Sequence, residues 1–143
     1  MEEIAKYSGC FICGNSNPVG IKAVFHFRDD KAITECVAQR EYEGYRDIYH
    51  GGITAALLDE VMIKALLARG IFAMTVEMTV KYHKAVLIGQ KLTFEGCLES
   101  QRGRLFLTEG KAYLENGEIV ASATGKYLRV KEEMKSRLMN SLE

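Results

Sequence analysis

The sequence predicts an α+β fold in which a long, curved antiparallel sheet wraps one central helix. Three observations carry this: a single long apolar helical stretch, two-residue alternation on both sides of it, and the order strand, strand, helix, then four long strands. Ile21, Ala23, Phe25 and Phe27 alternate with Lys22, His26 and Arg28, and Asp29-Asp30 makes a hairpin turn into a second strand over residues 31–39. From Ile53 to Arg69 the residues are small and aliphatic without Gly or Pro, and Gly70 then offers the left-handed position that ends helices. So few residues on this helix are polar that most of its circumference must be covered, which a curved sheet can do and one flat contact cannot. Met74, Val76, Met78, Val80 and Tyr82 then alternate with Thr75, Glu77, Thr79, Lys81 and His83, as in a strand with one face on a core. Residues 90–100, 104–115 and 118–130 continue the meander, joined at Gln101-Arg102-Gly103 and at Asn116-Gly117, the latter a type I′ hairpin signal. Strands of about twelve residues at roughly 3.3 Å each outreach a helix of roughly 27 Å, so the sheet can curl around it. One domain over residues 1–143 is expected, with 1–18 as an N-terminal loop segment and 131–143 as a charged tail or short helix carrying Met134 and Leu138 at helical spacing.

A chain of 143 residues should bury about 70% of its unfolded surface, enough for a core without staples. Basic and acidic residues balance at 19 each, with no long run of one sign, so nucleic acid is not an expected partner. The start, Met1-Glu2-Glu3-Ile4-Ala5-Lys6, lacks the basic-then-apolar order of a secretory signal, and Asp59, Glu60 and Lys64 interrupt the long apolar segment. A cytoplasmic protein with no membrane partner is expected, with Cys10, Cys13, Cys36 and Cys97 reduced.

Two features could carry chemistry. His50-Gly51-Gly52 runs directly into the helix, where glycines let backbone amides approach a ligand and the helix N-terminus attracts developing negative charge; the same string also serves as an ordinary glycine turn. Asp59 differs from Glu60, which has Lys64 one turn ahead, because its own helical neighbours are Ala55, Ala56, Met62 and Ile63. A carboxylate without a partner on an apolar helix suits a group that activates water or attacks an acyl carbon, while a cross-sheet donor or a neighbouring subunit would make it structural. Cys10-Phe11-Ile12-Cys13-Gly14 has the spacing of half a zinc knuckle, but Cys36, Cys97 and His26 are isolated in strands. A structural zinc site wants four ligands, so no metal is expected and the thiols read as buried or half-buried; no alternating strand and helix pattern supports a redox pair.

The run His50-Gly51-Gly52-Ile53-Thr54-Ala55-Ala56-Leu57-Leu58-Asp59 resembles the signature of hotdog-fold thioesterases of the 4-hydroxybenzoyl-CoA and phenylacetate-degradation type. Thr75 to Tyr82 resembles the strand that follows the helix in that family, and the Gly89 turn, the Asn116-Gly117 hairpin and the last strand also fit, so roughly residues 19–130 are covered. The resemblance implies an acyl-CoA thioesterase releasing free CoA and a carboxylic acid. In it the Gly51 amide polarises the thioester carbonyl, Asp59 is general base or nucleophile, Thr75 orients the attacking water and His50 supports the loop or the substrate. Gly52, Lys81 and Lys84 would bind substrate, the lysines through CoA phosphates; no cofactor is implied beyond the CoA of the substrate. It also implies a homodimer or a dimer of dimers with the site shared across a sheet edge. Two departures stand out: Gly44-Tyr45-Arg46 lies where many members carry Asn or Gln some six residues before the His, and Ala85 replaces a usual proline in His83-Lys84-Ala85-Val86. Strict alternation also puts Thr75 on the opposite face from Met74 and Val76, so it can reach Asp59 only at the strand's end or through a bend. A cysteine pair followed by Asn-Pro, as in Cys10, Cys13, Asn17 and Pro18, is similar to the start of some hotdog thioesterases and implies a structural role. The alternatives are a hotdog protein that binds acyl-CoA without hydrolysing it, and a hydratase of related fold, which would need a catalytic histidine placed differently from His50.

Overall fold

The computed structural model describes residues 2–142. In chain order the elements are β1 (Glu2–Glu3), β2 (His26–Arg28), β3 (Lys31–Val37), a 3-10 turn (Arg40–Tyr42), α1 (Gly51–Leu67), β4 (Ala73–Tyr82), β5 (Lys91–Arg102), β6 (Leu105–Leu114), β7 (Ile119–Arg129) and α2 (Glu132–Ser141). The strands form one antiparallel sheet in the order β1-β2-β3-β5-β6-β7-β4, and α1 packs against five of them, β3 to β7.

Why the sheet curls onto the helix follows from the side chains facing it. Leu57, Leu58, Val61, Met62, Ala65 and Leu66 of α1 are all fully buried, so the helix is apolar over most of its girth. Against them the strands present Leu92 and Phe94 of β5, Phe106 and Ala112 of β6, and Ala121, Ala123 and Tyr127 of β7. Small residues at the centre bring backbone close to backbone: a Cβ on Gly96 would stand 2.5 Å from the Val61 carbonyl oxygen. The helix therefore rests on β5 through glycine rather than through a side chain.

Several boundaries move. The first strand enters the ladder only at His26, because the Ile21 and Ala23 N–H groups donate to the Phe11 and Ile12 carbonyls at 2.9 Å each and Lys22 has φ +59. The inward alternation of Ala23 and Phe25 survives, but that stretch pairs with the N-terminal loop. Strand β3 stops at Val37, two residues short of the expected end. Helix α1 starts at Gly51, so the glycines form its first turn instead of a turn before it, and Gly70 follows the helix at φ +75. The terminal segment is helical as α2.

Strand β4 is a sheet edge, pairing with β7 alone, and it exposes Met74, Val76 and Tyr82, each more than half accessible. Its register with β7 slips between Thr75 and Glu77, so Val76 is a β-bulge. Among the described residues no helix is long and apolar enough to cross a membrane.

Candidate active site

His50 caps α1: its Nδ1 accepts the Gly52 N–H at 2.8 Å, and its carbonyl accepts from Ile53 and Thr54. The Gly51 N–H is left without an acceptor among the described residues, at the positive end of the helix dipole. Tyr82 walls this point, its hydroxyl donating to the Gly51 carbonyl at 2.7 Å and its ring lying 3.3 Å from where a Gly51 Cβ would be. A cleft of about 530 Å³ opens here, lined by Tyr45, Gly51, Tyr82, His83, Lys84 and Val86 among others. Lys84 is engaged by Glu118 at 2.9 Å. Lys81 is not part of this cleft; it faces Ser122 across the ladder and lines a separate groove with Thr79 and Thr124 on the other side of the sheet.

Asp59 lies eight residues along the same helix, about 12 Å at 1.5 Å per residue. It is half-buried and has partners that the sequence did not reveal. Its Oδ1 accepts the Thr75 hydroxyl at 2.8 Å and the Tyr127 hydroxyl at 2.7 Å, and the Tyr127 hydroxyl is also 3.2 Å from the Asp59 carbonyl. Its Oδ2 meets no donor among the described residues, so one oxygen is fixed and the other keeps its lone pairs for chemistry. Burial, with the charge of Asp59 adding to it, pushes the Tyr127 hydroxyl far above the usual phenol range, so it remains a proton donor to the carboxylate.

The bulge explains how Thr75 reaches this point. Thr75 pairs with the inward Tyr127 and Glu77 with the outward Lys126, so inserting Val76 between them puts Thr75 on the same face as Met78 and Val80. Alternation without the bulge assigns it to the wrong face. Glu60 turns to another side of α1, toward Cys10 and Lys64, where burial and the negative charge of Cys10 push its carboxyl up to about 7 against the opposing pull of Lys64.

A second cleft, of about 660 Å³, adjoins Thr75 and carries Arg104, Arg129, Lys131 and Arg137 against a single acid, Glu133. Arg104 Nη2 donates to the Arg129 carbonyl at 2.7 Å, and the Arg129 guanidinium lies 5.2 Å from the Phe106 ring centre. None of these four cations is in an ion pair among the described residues. The sequence reading missed Tyr127 and this cluster. Tyr127 could have been suspected from its parity with Ala121, Ala123 and Gly125, since a tyrosine on a core face needs a partner for its hydroxyl.

The sequence profile of the thioesterase superfamily matches residues 47–121, which run from the approach to His50 into β7. A protein of Archaeoglobus fulgidus, named provisionally as an esterase, is 28% identical over 113 residues, covering 77% of this chain and 71% of its own. A crystallised protein of the thioesterase superfamily aligns with TM-score 0.80 at 26% identity over 85% of this chain; the chain spans 60% of that protein's length. A protein of Streptococcus pneumoniae described as a hypothetical thioesterase, solved with coenzyme A, shares the fold at TM-score 0.70 and 20% identity, over 73% of this chain and 82% of its own. The same streptococcal protein has been solved with an aspartate and, later in its chain, a threonine replaced by alanine.

Proposed function

The chain belongs to the thioesterase superfamily, and from that premise we propose that it hydrolyses an acyl-CoA thioester to free CoA and a carboxylic acid. Its curved sheet and central helix are the hotdog fold of the family. The observation that carries the reading is the Asp59 carboxylate, held through Oδ1 by two hydroxyl donors with Oδ2 left to act. In the proposed reaction Oδ2 takes a proton from water as the water oxygen bonds to the acyl carbon. The negative charge that develops on the thioester oxygen meets the Gly51 N–H; the tetrahedral species then collapses, the C–S bond breaks and the departing CoA sulfur receives the proton from Asp59. Thr75, whose hydroxyl proton is committed to Asp59, can still accept a hydrogen bond from the water. Asp and Thr, in that chain order, are also the residue types replaced in the streptococcal structures.

One thioester group cannot touch both an amide and a carboxylate about 12 Å apart along a helix. The working site therefore combines Asp59 of one copy with Gly51 of another, and the open β4 edge, with Met74, Val76 and Tyr82 exposed, is where the copies join. Coenzyme A as the leaving group fits the cationic cleft beside Thr75, where Arg104, Arg129, Lys131 and Arg137 can meet its phosphates. Lys84, already paired with Glu118, and Lys81, on the far side of the sheet, rank behind them. No cofactor is needed beyond the substrate's own CoA, and four free cysteines fit a cytoplasmic setting.

Thiol release from short, long and aromatic acyl-CoAs tests the activity, and Asp59→Asn tests the mechanism. The variant should keep its fold and lose kcat by about 10²–10⁴-fold. Unchanged turnover, or tight acyl-CoA binding by the wild type with no thiol released, ends the proposal.

A further inference from the structure

We propose that Cys10, Cys13 and Glu60 form a binding site for a thiophilic divalent cation, zinc(II) above all, which ties the N-terminal loop to α1. The site is separate from the thioester chemistry, because Asp59 and Glu60 leave the helix on different sides and share no partner.

Geometry comes first. The two sulfurs and a Glu60 carboxylate oxygen all lie within 4.8 Å of one another, and Cys10 Sγ is 3.8 Å from Glu60 Oε2. A sulfur at about 2.3 Å and an oxygen at about 2.1 Å on one tetrahedral zinc ion stand about 3.6 Å apart, so these ligands are spaced for a shared ion with small adjustment.

The loop is also built to present a thiolate. The N–H groups of Ile12 and Cys13 converge on Cys10 Sγ at 3.3 and 3.4 Å, an arrangement that favours a negatively charged sulfur. The turn that makes this possible closes on Gly14, whose N–H donates to the Cys10 carbonyl at 2.9 Å. A Cβ at Gly14 would stand 2.3 Å from the Ser8 carbonyl oxygen and 2.5 Å from the Cys10 nitrogen, so no residue with a side chain fits there. The five residues from Cys10 to Gly14 are thus half of a metal site in shape as well as spacing. The third ligand is not another cysteine; it is a helix carboxylate 50 residues away, which spacing within the loop could not reveal.

Charge balance favours a divalent ion. Two thiolates and a carboxylate carry three negative charges. Lys64 is buried beside them, 4.0 Å from Glu60 Oε2 and hydrogen-bonded to the Ala5 carbonyl, and supplies one positive charge. A divalent cation supplies the other two, leaving the half-buried cluster neutral. A cleft of about 180 Å³, lined by Cys10, Cys13 and Glu60 together with Ile63, Leu67, Ile71, Phe72 and Leu138, adjoins the three ligands and has room for the water or small anion that would complete a tetrahedral set. The sulfur-rich set selects zinc or cobalt over magnesium and calcium.

The test uses the full chain, reduced and stripped with a chelator, titrated first with Co(II) and then with Zn(II). One Co(II) per chain should bind with a thiolate-to-cobalt charge-transfer band and tetrahedral ligand-field bands, Zn(II) should displace it, and the melting temperature should rise with Zn(II). Cys10→Ser and Cys13→Ser should each weaken the charge-transfer band and lower affinity by about tenfold or more; Glu60→Gln should lower affinity similarly while keeping that band. Cys36→Ser and Cys97→Ser should change neither. If the cysteine variants do not fold, Glu60→Gln decides the question. Absence of stoichiometric uptake by the reduced wild type, an affinity left unchanged by loss of Cys13 or of Glu60, or a chain that only closes a Cys10–Cys13 disulfide without taking zinc each overturns the proposal.

Discussion

Asp59 is held by residues far from it in sequence: Thr75 sits 16 positions on and Tyr127 68 positions on. The sequence marked Asp59 because nothing along its helix could pair with it, and that inference rested on helical spacing alone. Spacing cannot report a donor that arrives from another strand, so the expected lone carboxylate is a fixed one. Tyr127→Phe keeps the ring and removes one donor from a charged acceptor, which should destabilise the fold by about 1–3 kcal/mol. As a positioning residue its loss should lower kcat by about tenfold with little change in KM. Thr75→Val removes the other donor to the same oxygen, so the double variant should lose less than the product of the two single effects. Thermal unfolding together with a kcat and KM comparison reads both; a Tyr127→Phe protein with wild-type kcat would mean that the hydroxyl only fills the core.

The elements were legible where periodicity decides them and illegible where one residue breaks it. Strands β5, β6 and β7 alternate as expected over residues 91–98, 105–112 and 121–128, because each has one face on α1, and lose that register at the irregularities beyond Leu98 and Ala112. In β4 the bulge at Val76 reverses the parity of everything before it, and nothing local in Met74-Thr75-Val76-Glu77 announces the reversal. Ile21 to Phe25 kept its burial pattern yet joined the N-terminal loop, since alternation reports which side is covered and not by what. The contact between α1 and β5 was equally hidden, because glycines in strands read as weak strand formers and not as seats for a helix. Gly96→Ala puts a methyl 2.5 Å from the Val61 carbonyl oxygen and 2.9 Å from the Met62 nitrogen, backbone atoms that cannot step aside singly. Separating β5 from α1 should destabilise the fold by about 1–3 kcal/mol or more, and should lower activity as well because Val61 is half a turn from Asp59. Gly110→Ala meets the flexible Met62 side chain at 3.1 Å and should cost less. Thermal melts of the two variants side by side check the ranking, and equal stabilities would mean that the helix is not seated on Gly96.

Across the whole molecule, a net charge of zero hid a local imbalance: 19 basic and 19 acidic residues cancel overall while four cations gather around one cleft. If that cleft holds the phosphates of CoA, Arg137→Ala should raise KM for an acyl-CoA by about tenfold and leave the corresponding S-acyl pantetheine, which lacks the nucleotide phosphates, unaffected. Equal effects on the two substrates would place the phosphates elsewhere. The arrangement of copies has its own test. Gly51→Pro removes the proposed oxyanion donor at a helical position where proline is tolerated, after an extended His50, although the Tyr82 ring 3.3 Å away must yield slightly. Homodimers of Gly51→Pro or of Asp59→Asn lack a component in both sites. A mixed dimer brings the intact Gly51 of one chain to the intact Asp59 of the other in one site, while its second site carries both defects. Random exchange of equal amounts makes half the dimers mixed, with one good site in two, so about a quarter of the wild-type activity should return. Within a single chain the two groups are about 12 Å apart on one helix and cannot serve one carbonyl. Two inactive proteins that stay inactive after confirmed subunit exchange would therefore refute the shared site.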